Sequence, residues 1–123
     1  MKILGIGVDI VENSRIGKLL KNKIFIKRIF SYSEILIANK IKDKKSYYSK
    51  RFAAKEAFVK SIGTGFRDDF NFKDLSIVND KFGKPSFIIN EKIKKIVKKQ
   101  FKTTSFNFFL SISDEKKYSV AYV

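Results

Sequence analysis

The sequence predicts a small mixed α/β domain of the α+β class, with its elements in the order β-ααα-ββ-α-ββ. Three observations predict it. Apolar residues alternate near both ends of the chain, as in half-buried strands. A long segment at 46–62 has helical spacing and runs into a glycine. Turn-forming Gly83-Lys84-Pro85 separates two short apolar runs. At 123 residues the chain is expected to be one domain, residues 1–123, and 44% hydrophobic content with 13 Phe is enough for one core.

In residues 1–11, Leu4, Ile6, Val8 and Ile10 fall on one face of a strand, and Ile3, Gly5, Gly7, Asp9 and Val11 on the other. The two glycines beside Asp9 let something approach the backbone closely there. Asn13 and Ser14 offer N-caps for a short basic helix reaching Leu19 and Leu20. Short helical pieces follow at 25–30 and 33–41. In the helix 46–62, Phe52, Ala53, Ala57, Val59 and Ile62 supply the apolar side, Gly63 terminates it, and Gly63-Thr64-Gly65 forms a loop. Strands at 75–78 and 86–89 flank the turn. Asn90 caps a helix at 91–101 with Ile93, Ile96, Val97 and Phe101 inward. A strand at 105–113 sets Phe106, Phe108, Leu110 and Ile112 against a face of Ser105, Asn107, Phe109, Ser111 and Ser113. After a turn at 114–117, residues 118–123 return as the last strand.

Composition removes whole classes of chemistry. The chain has no Cys and no His, so disulfides, Cys/His zinc sites and imidazole-based nucleophilic machinery are excluded. Catalysis is left to carboxylates, Lys/Arg, hydroxyls or an oxygen-liganded metal. The apolar run at 3–11 is too short to span a bilayer and carries Asp9, and no small-residue cleavage site follows it. A soluble cytoplasmic protein is expected. With 27 Lys+Arg against 12 Asp+Glu, the formal charge is +15. That excess attracts nucleic acid, phosphorylated ligands or an acidic protein. A Lys-, Ile-, Phe- and Asn-rich composition from A/T-rich codons produces the same excess, and charge alone does not choose.

No phosphate-binding loop of the G-x-x-x-x-G-K-[ST] or G-x-G-x-x-G type is present. In Arg51-Phe52-Ala53-Ala54-Lys55-Glu56-Ala57-Phe58-Val59-Lys60, Arg51 and Lys55 share one helical stripe, and Glu56 and Lys60 the neighbouring one. A surface helix with one Glu–Lys pair has the same spacing. Phe52, however, shares the Glu56–Lys60 stripe and pulls it toward packing. A half-buried carboxylate and ammonium beside a Gly-rich loop suit a phosphate or metal site. Asp9 by itself reads more readily as a solvated strand terminus or a cap.

Gly5-Ile6-Gly7-Val8-Asp9-Ile10-Val11-Glu12, the Arg51–Lys60 segment with Gly63-Thr64-Gly65, and Gly83-Lys84-Pro85 together resemble the bacterial holo-acyl-carrier-protein synthases, the small phosphopantetheinyl transferases. The resemblance runs from residue 3 to the last strand. It implies the phosphopantetheinyl transferase fold. The implied reaction moves 4′-phosphopantetheine from coenzyme A to a serine of an apo acyl carrier protein, giving the holo carrier for fatty acid biosynthesis and adenosine 3′,5′-bisphosphate. Asp9 and Glu56 are implied to hold Mg²⁺ against the coenzyme A pyrophosphate, as suits an ion that takes one or two carboxylates plus phosphates. Lys60 is implied to stabilise charge on the transferred phosphoryl group, and Arg51 to contact the 3′-phosphate. Gly63, Thr64 and Gly65 would bring backbone amides to the nucleotide, and Pro85 lies near the adenine pocket. Lys55 plays a supporting part.

Arg15, on the first basic helix, matches a family position that meets the acidic carrier, with Lys18, Lys21 and Arg28 as neighbours. The family is usually a homotrimer with sites shared between subunits. The polar face at 105–111 is the sequence's own hint of this, and a solvated face explains it equally. Many relatives carry His after Ser111-Ile112-Ser113, where this chain has Asp114. Deprotonation of the carrier serine therefore falls to Glu56, a metal-bound water or Asp114, and the residues leave the three open. The alternative reading is a small basic RNA-binding module of ferredoxin-like type, although Phe106-Asn107-Phe108-Phe109 lacks the RNP1 core. Membrane docking through the basic run at 21–30 is a third. Neither accounts for Asp9 and Glu56, so the expected partners are coenzyme A and a carrier protein, with no nucleic acid and no membrane.

Overall fold

Antiparallel pairing brings the two ends of the chain together. In the computed structural model, which describes residues 1–63, 65 and 70–123, strand β1 (Val8–Glu12) pairs with β5 (Tyr118–Tyr122), and β5 pairs with β4 (Ser111–Asp114). The sheet order is β1-β5-β4, in register Val8↔Tyr122 and Ser111↔Tyr122. Between β1 and the rest of the sheet run α1 (Asn13–Leu19), α2 (Lys23–Ile29), α3 (Tyr32–Ala38) and α4 (Lys44–Ile62). A 3-10 turn (Phe72–Asp74), the hairpin β2 (Ile77–Asn79) with β3 (Pro85–Phe87), and α5 (Glu91–Phe101) complete the chain. The expected order holds, with the first helical run resolved into four helices.

Two strands are shorter than the alternation predicts, for one reason. The strand expected over 105–113 enters a ladder only at Ser111, because its partner β5 gives out at Tyr122, opposite Ser111. Residues 105–110 run past that end. Their alternation survives without the ladder: Phe106, Phe108 and Leu110 pack against the core while Phe109 is exposed. The strand expected over 1–11 likewise pairs from Val8, preceded only by two mutual 2.8 Å backbone bonds between Gly7 and Val123.

Helix α4 crosses the inner face of this sheet and is the centre of the fold. A Cβ at Gly7 would stand 1.9 Å from the Ala57 carbonyl oxygen, and one at Gly5 would stand 2.0 Å from that of Ser61. The close approach that the two glycines permit is thus used by α4 itself. The helix starts at Asp43, whose carboxylate accepts from the Ser46 N–H at 3.0 Å, and stops at Gly63 with φ 83°. It is buried on nearly all sides rather than along one stripe, and Arg51 and Lys55 lie inside with its aromatics. Phe58 packs on Phe70, Phe87 and Phe108, and Phe52 on Phe25 and Phe72.

Asn13 departs from its expected role as a cap. The N-cap of α1 is Glu12, which makes no side-chain capping bond. Asn13 is buried instead, donating to the Glu115 and Lys116 carbonyls at 3.0 and 3.2 Å and accepting from Ser119 Oγ at 2.7 Å. The two donor bonds and one acceptor bond made here match a side-chain amide, whereas a hydroxyl has a single donor and an ionised carboxylate none.

Candidate active site

Because the glycines let β1 lie on α4, Asp9 comes beside the last two turns of that helix. Lys60 Nζ donates to Asp9 Oδ1 at 3.0 Å and to the Val8 carbonyl at 3.1 Å. The Asp9 side chain is 17% exposed and that of Lys60 is 54% exposed. Glu56, one turn before Lys60, is half-buried. Burial raises its pKa above the ordinary value, and the Asp9 charge raises it further, while Lys60 and Arg15 act the other way. Arg15, exposed on α1, is thus close enough to Glu56 to act on it. The structure brings Asp9, Glu56, Lys60 and Arg15 into one cluster from β1, α4 and α1.

This donor set suits a hard cation. Burial first, and the Asp9 charge second, raise the pKa of Glu56, and a cation held by the two carboxylates would relieve that cost. Among the described residues no group of three or more acidic, His or Cys side chains could hold a metal by itself. Mg²⁺ takes one or two carboxylates and fills its shell with phosphates and water.

Arg51 lies on a different flank. It is five residues before Glu56, and at 3.6 residues per turn the two side chains leave α4 roughly 140° apart. The Arg51 guanidinium lies 3.9 Å over the Tyr47 ring and donates to Asn79 Oδ1, while its buried Nε has no partner. Asn79 pairs with Pro85 in the hairpin register and donates to the Gly83 carbonyl at 2.8 Å. Arg51, Asn79 and Pro85 therefore form a second cluster. Asn79 carries no sequence signal of its own, being an ordinary loop-type residue.

Lys55, expected as a supporting residue, is structural: its ammonium is wholly buried against Glu34 and two carbonyls. Gly63 and Gly65 lie beyond the C-terminus of α4 in left-handed conformations, and Thr64 falls outside the described residues. Asp114 stands at the far end of α4, accepting from Ser46 Oγ at 3.3 Å. Ten residues of helix, about 15 Å, separate Ser46 from Glu56, so within one chain Asp114 does not join the carboxylate cluster. A cleft of about 430 Å³ between β3, α5 and residues 104–108 is lined by none of these residues.

A family model for the 4′-phosphopantetheinyl transferase superfamily matches residues 5–123. The holo-[acyl-carrier-protein] synthase of Pelagibacter ubique is 76% identical over 123 residues, covering 100% of this chain and 96% of that one. The crystal structure of holo-[acyl-carrier-protein] synthase from Neisseria meningitidis superposes with a TM-score of 0.87 at 37% identity, over 98% of this chain and 96% of that one. The Bacillus anthracis enzyme, solved in complex with coenzyme A (3′,5′-ADP), superposes with a TM-score of 0.79 at 35% identity, over 98% and 93%. With a fold, a motif order and a full-length match in agreement, the chain belongs to the 4′-phosphopantetheinyl transferase superfamily and, within it, to the holo-[acyl-carrier-protein] synthases.

Proposed function

We propose that this chain, as a single domain over residues 1–123, transfers 4′-phosphopantetheine from coenzyme A to a serine of an apo acyl carrier protein. It does so with Mg²⁺, in the cytoplasm, supplying the holo carrier for fatty acid biosynthesis. The observation that carries the reading is the meeting of Asp9, Glu56 and Lys60 from a strand and a helix, in a chain of this family.

Asp9 and Glu56 would hold the Mg²⁺. When bound, that ion withdraws charge from the β-phosphate and offsets the charge on the departing bisphosphate. Lys60 has a long, half-exposed stem, so its ammonium can follow the phosphoryl oxygens as negative charge builds on them. Glu56 supports the reading as proton acceptor for the carrier serine because it stands within the cluster, as Asp114 at the far end of α4 does not. Arg51, whose guanidinium lies over Tyr47 and donates to Asn79, would meet the 3′-phosphate, with Pro85 nearby in the hairpin for the adenine. Gly63 and Gly65, in left-handed conformations just beyond α4, would bring backbone amides to the nucleotide. Arg15 faces the site from the basic α1 and would meet the acidic carrier where its serine enters.

The reading includes a homotrimer with sites shared between copies. The two clusters leave α4 on different flanks, so a ligand spanning coenzyme A's pyrophosphate and 3′-phosphate is best served where two copies meet. The outer face of the sheet supports this, with Val8, Ile10, Tyr118 and Tyr122 each about half exposed or more. The nucleic-acid alternative finds no support in the family match, and the Phe106 and Phe108 on which it drew pack against the core.

The test is Glu56→Ala, assayed by release of adenosine 3′,5′-bisphosphate. Transfer is expected to be abolished with the circular-dichroism spectrum intact. Unchanged turnover would remove Glu56 from the site.

A further inference from the structure

We infer that Lys60 is the resident counter-ion of Asp9 in the substrate-free protein, so that the site refuses a bare divalent cation and accepts one only together with the phosphates of coenzyme A. The inference rests on the proposed carboxylate seat for the metal.

Lys60 makes two bonds to one short stretch of β1, to Asp9 Oδ1 at 3.0 Å and to the Val8 carbonyl at 3.1 Å. The i,i+4 partner on its own helix, Glu56, is not the carboxylate it pairs with. Asp9 is the more buried member of the pair and Lys60 the more exposed. Arg15 acts on Glu56 from α1. Two carboxylates are thereby matched by two cations, and the cluster carries no net charge with which to draw in a dication. A hydrated divalent ion arriving alone must dislodge the ammonium from Asp9 with nothing to receive it. A pyrophosphate changes both sides of that exchange. It gives the half-exposed ammonium anionic oxygens within reach of its flexible stem, and it adds the negative charge that a dication needs. Metal and nucleotide therefore load together, and the Asp9 oxygen becomes available only as Lys60 turns to the phosphates.

The consequence is a substitution with opposite effects on two ligands. Mn²⁺, observed by electron paramagnetic resonance, is the probe, titrated into wild type, Lys60→Met and Asp9→Asn with and without coenzyme A. Lys60→Met is expected to bind Mn²⁺ alone about five- to tenfold more tightly than wild type, because a neighbouring positive charge is gone. The same variant is expected to bind coenzyme A with Mn²⁺ less tightly than wild type. Lys60→Gln should behave alike. If Lys60→Met takes up free Mn²⁺ no better than wild type, or loses both affinities in parallel, Lys60 is not the counter-ion and the inference fails. Asp9→Asn should lose Mn²⁺ binding in the presence of coenzyme A. If it does not, the metal seat itself is overturned, which separates that failure from the failure of the Lys60 exchange alone.

Discussion

Lys55 Nζ lies 2.6 Å from Glu34 Oε1, and neither side chain reaches solvent. Lys55 spends its remaining donors on the Phe72 and Leu75 carbonyls at 2.9 and 2.5 Å. Glu34 accepts from the Ser31 N–H at 2.9 Å and the Ile77 N–H at 3.0 Å. One ion pair thus ties α3, α4, the 3-10 turn and β2 together, and burial lowers the Lys55 pKa despite the opposing pull of Glu34. Removing one partner leaves a buried charge unpaired, so Lys55→Met is expected to lose about 3–5 kcal/mol in urea unfolding. The double variant Glu34→Leu/Lys55→Met should recover only part of this. Two amides and two carbonyls lose their partners, at about 1–3 kcal/mol for each one left buried. Full recovery in the double variant would show that the pair acts by charge alone.

Gly7→Ala tests the seating of β1 on α4. With its Cβ 1.9 Å from the Ala57 carbonyl, the strand must shift away from the helix. A stability loss of about 2–3 kcal/mol is expected by denaturant unfolding, in the range of overpacking. Because β1 carries Asp9 and α4 carries Glu56, transfer should fall by more than the folded fraction. Activity that tracks the folded fraction alone would show the site to tolerate the shift.

Glu56 makes a stability–activity exchange measurable. Its folded pKa lies above the unfolded one, so the folded state binds the extra proton in that window, and stability falls as pH rises through it. Glu56→Gln is therefore expected to raise the melting temperature of the metal-free protein at pH 7 by about 1–3 °C, after allowing for solvent screening. The gain should vanish below the unfolded pKa. A melting temperature lowered at neutral pH would show Glu56 to be stabilised by Lys60 and Arg15 rather than held at a cost.

Arg51→Met should raise KM for coenzyme A by about 10- to 100-fold, the worth of a charged hydrogen-bond pair. With dephospho-coenzyme A, which lacks the 3′-phosphate, the same variant should differ little from wild type. Equal losses on both would make Arg51 a packing residue on Tyr47 and Asn79.

What was legible followed local chemistry. Helix α5 falls at 91–101 as expected because Asn90 caps the Ile93 N–H and Ile93 and Val97 recur at helical spacing. Gly63 ends α4 for the same kind of reason. Long-range partners were not legible. Asn13 looks like a cap and is instead used by a turn 102 residues away. Glu34 looks like an ordinary capping-box acid, and only the arrival of Lys55 from α4 buries it. The extent of β1 and β4 depends on where β5 ends, which neither strand's own alternation encodes. In the candidate site, the motifs single out Asp9, Glu56 and Lys60, and the fold brings the three together. The Asp9–Lys60 pairing depends on how closely two glycines let a strand lie on a helix, and helical spacing had pointed to Glu56 instead.

The most direct measurement is the intact mass of an apo acyl carrier protein after incubation with this protein, coenzyme A and Mg²⁺, with and without chelator. The account predicts a gain of about 340 Da, one phosphopantetheine arm, that disappears with chelator. No gain from a folded sample with a cognate carrier would contradict the transferase, and a gain that persists in chelator would contradict the metal seat at Asp9 and Glu56.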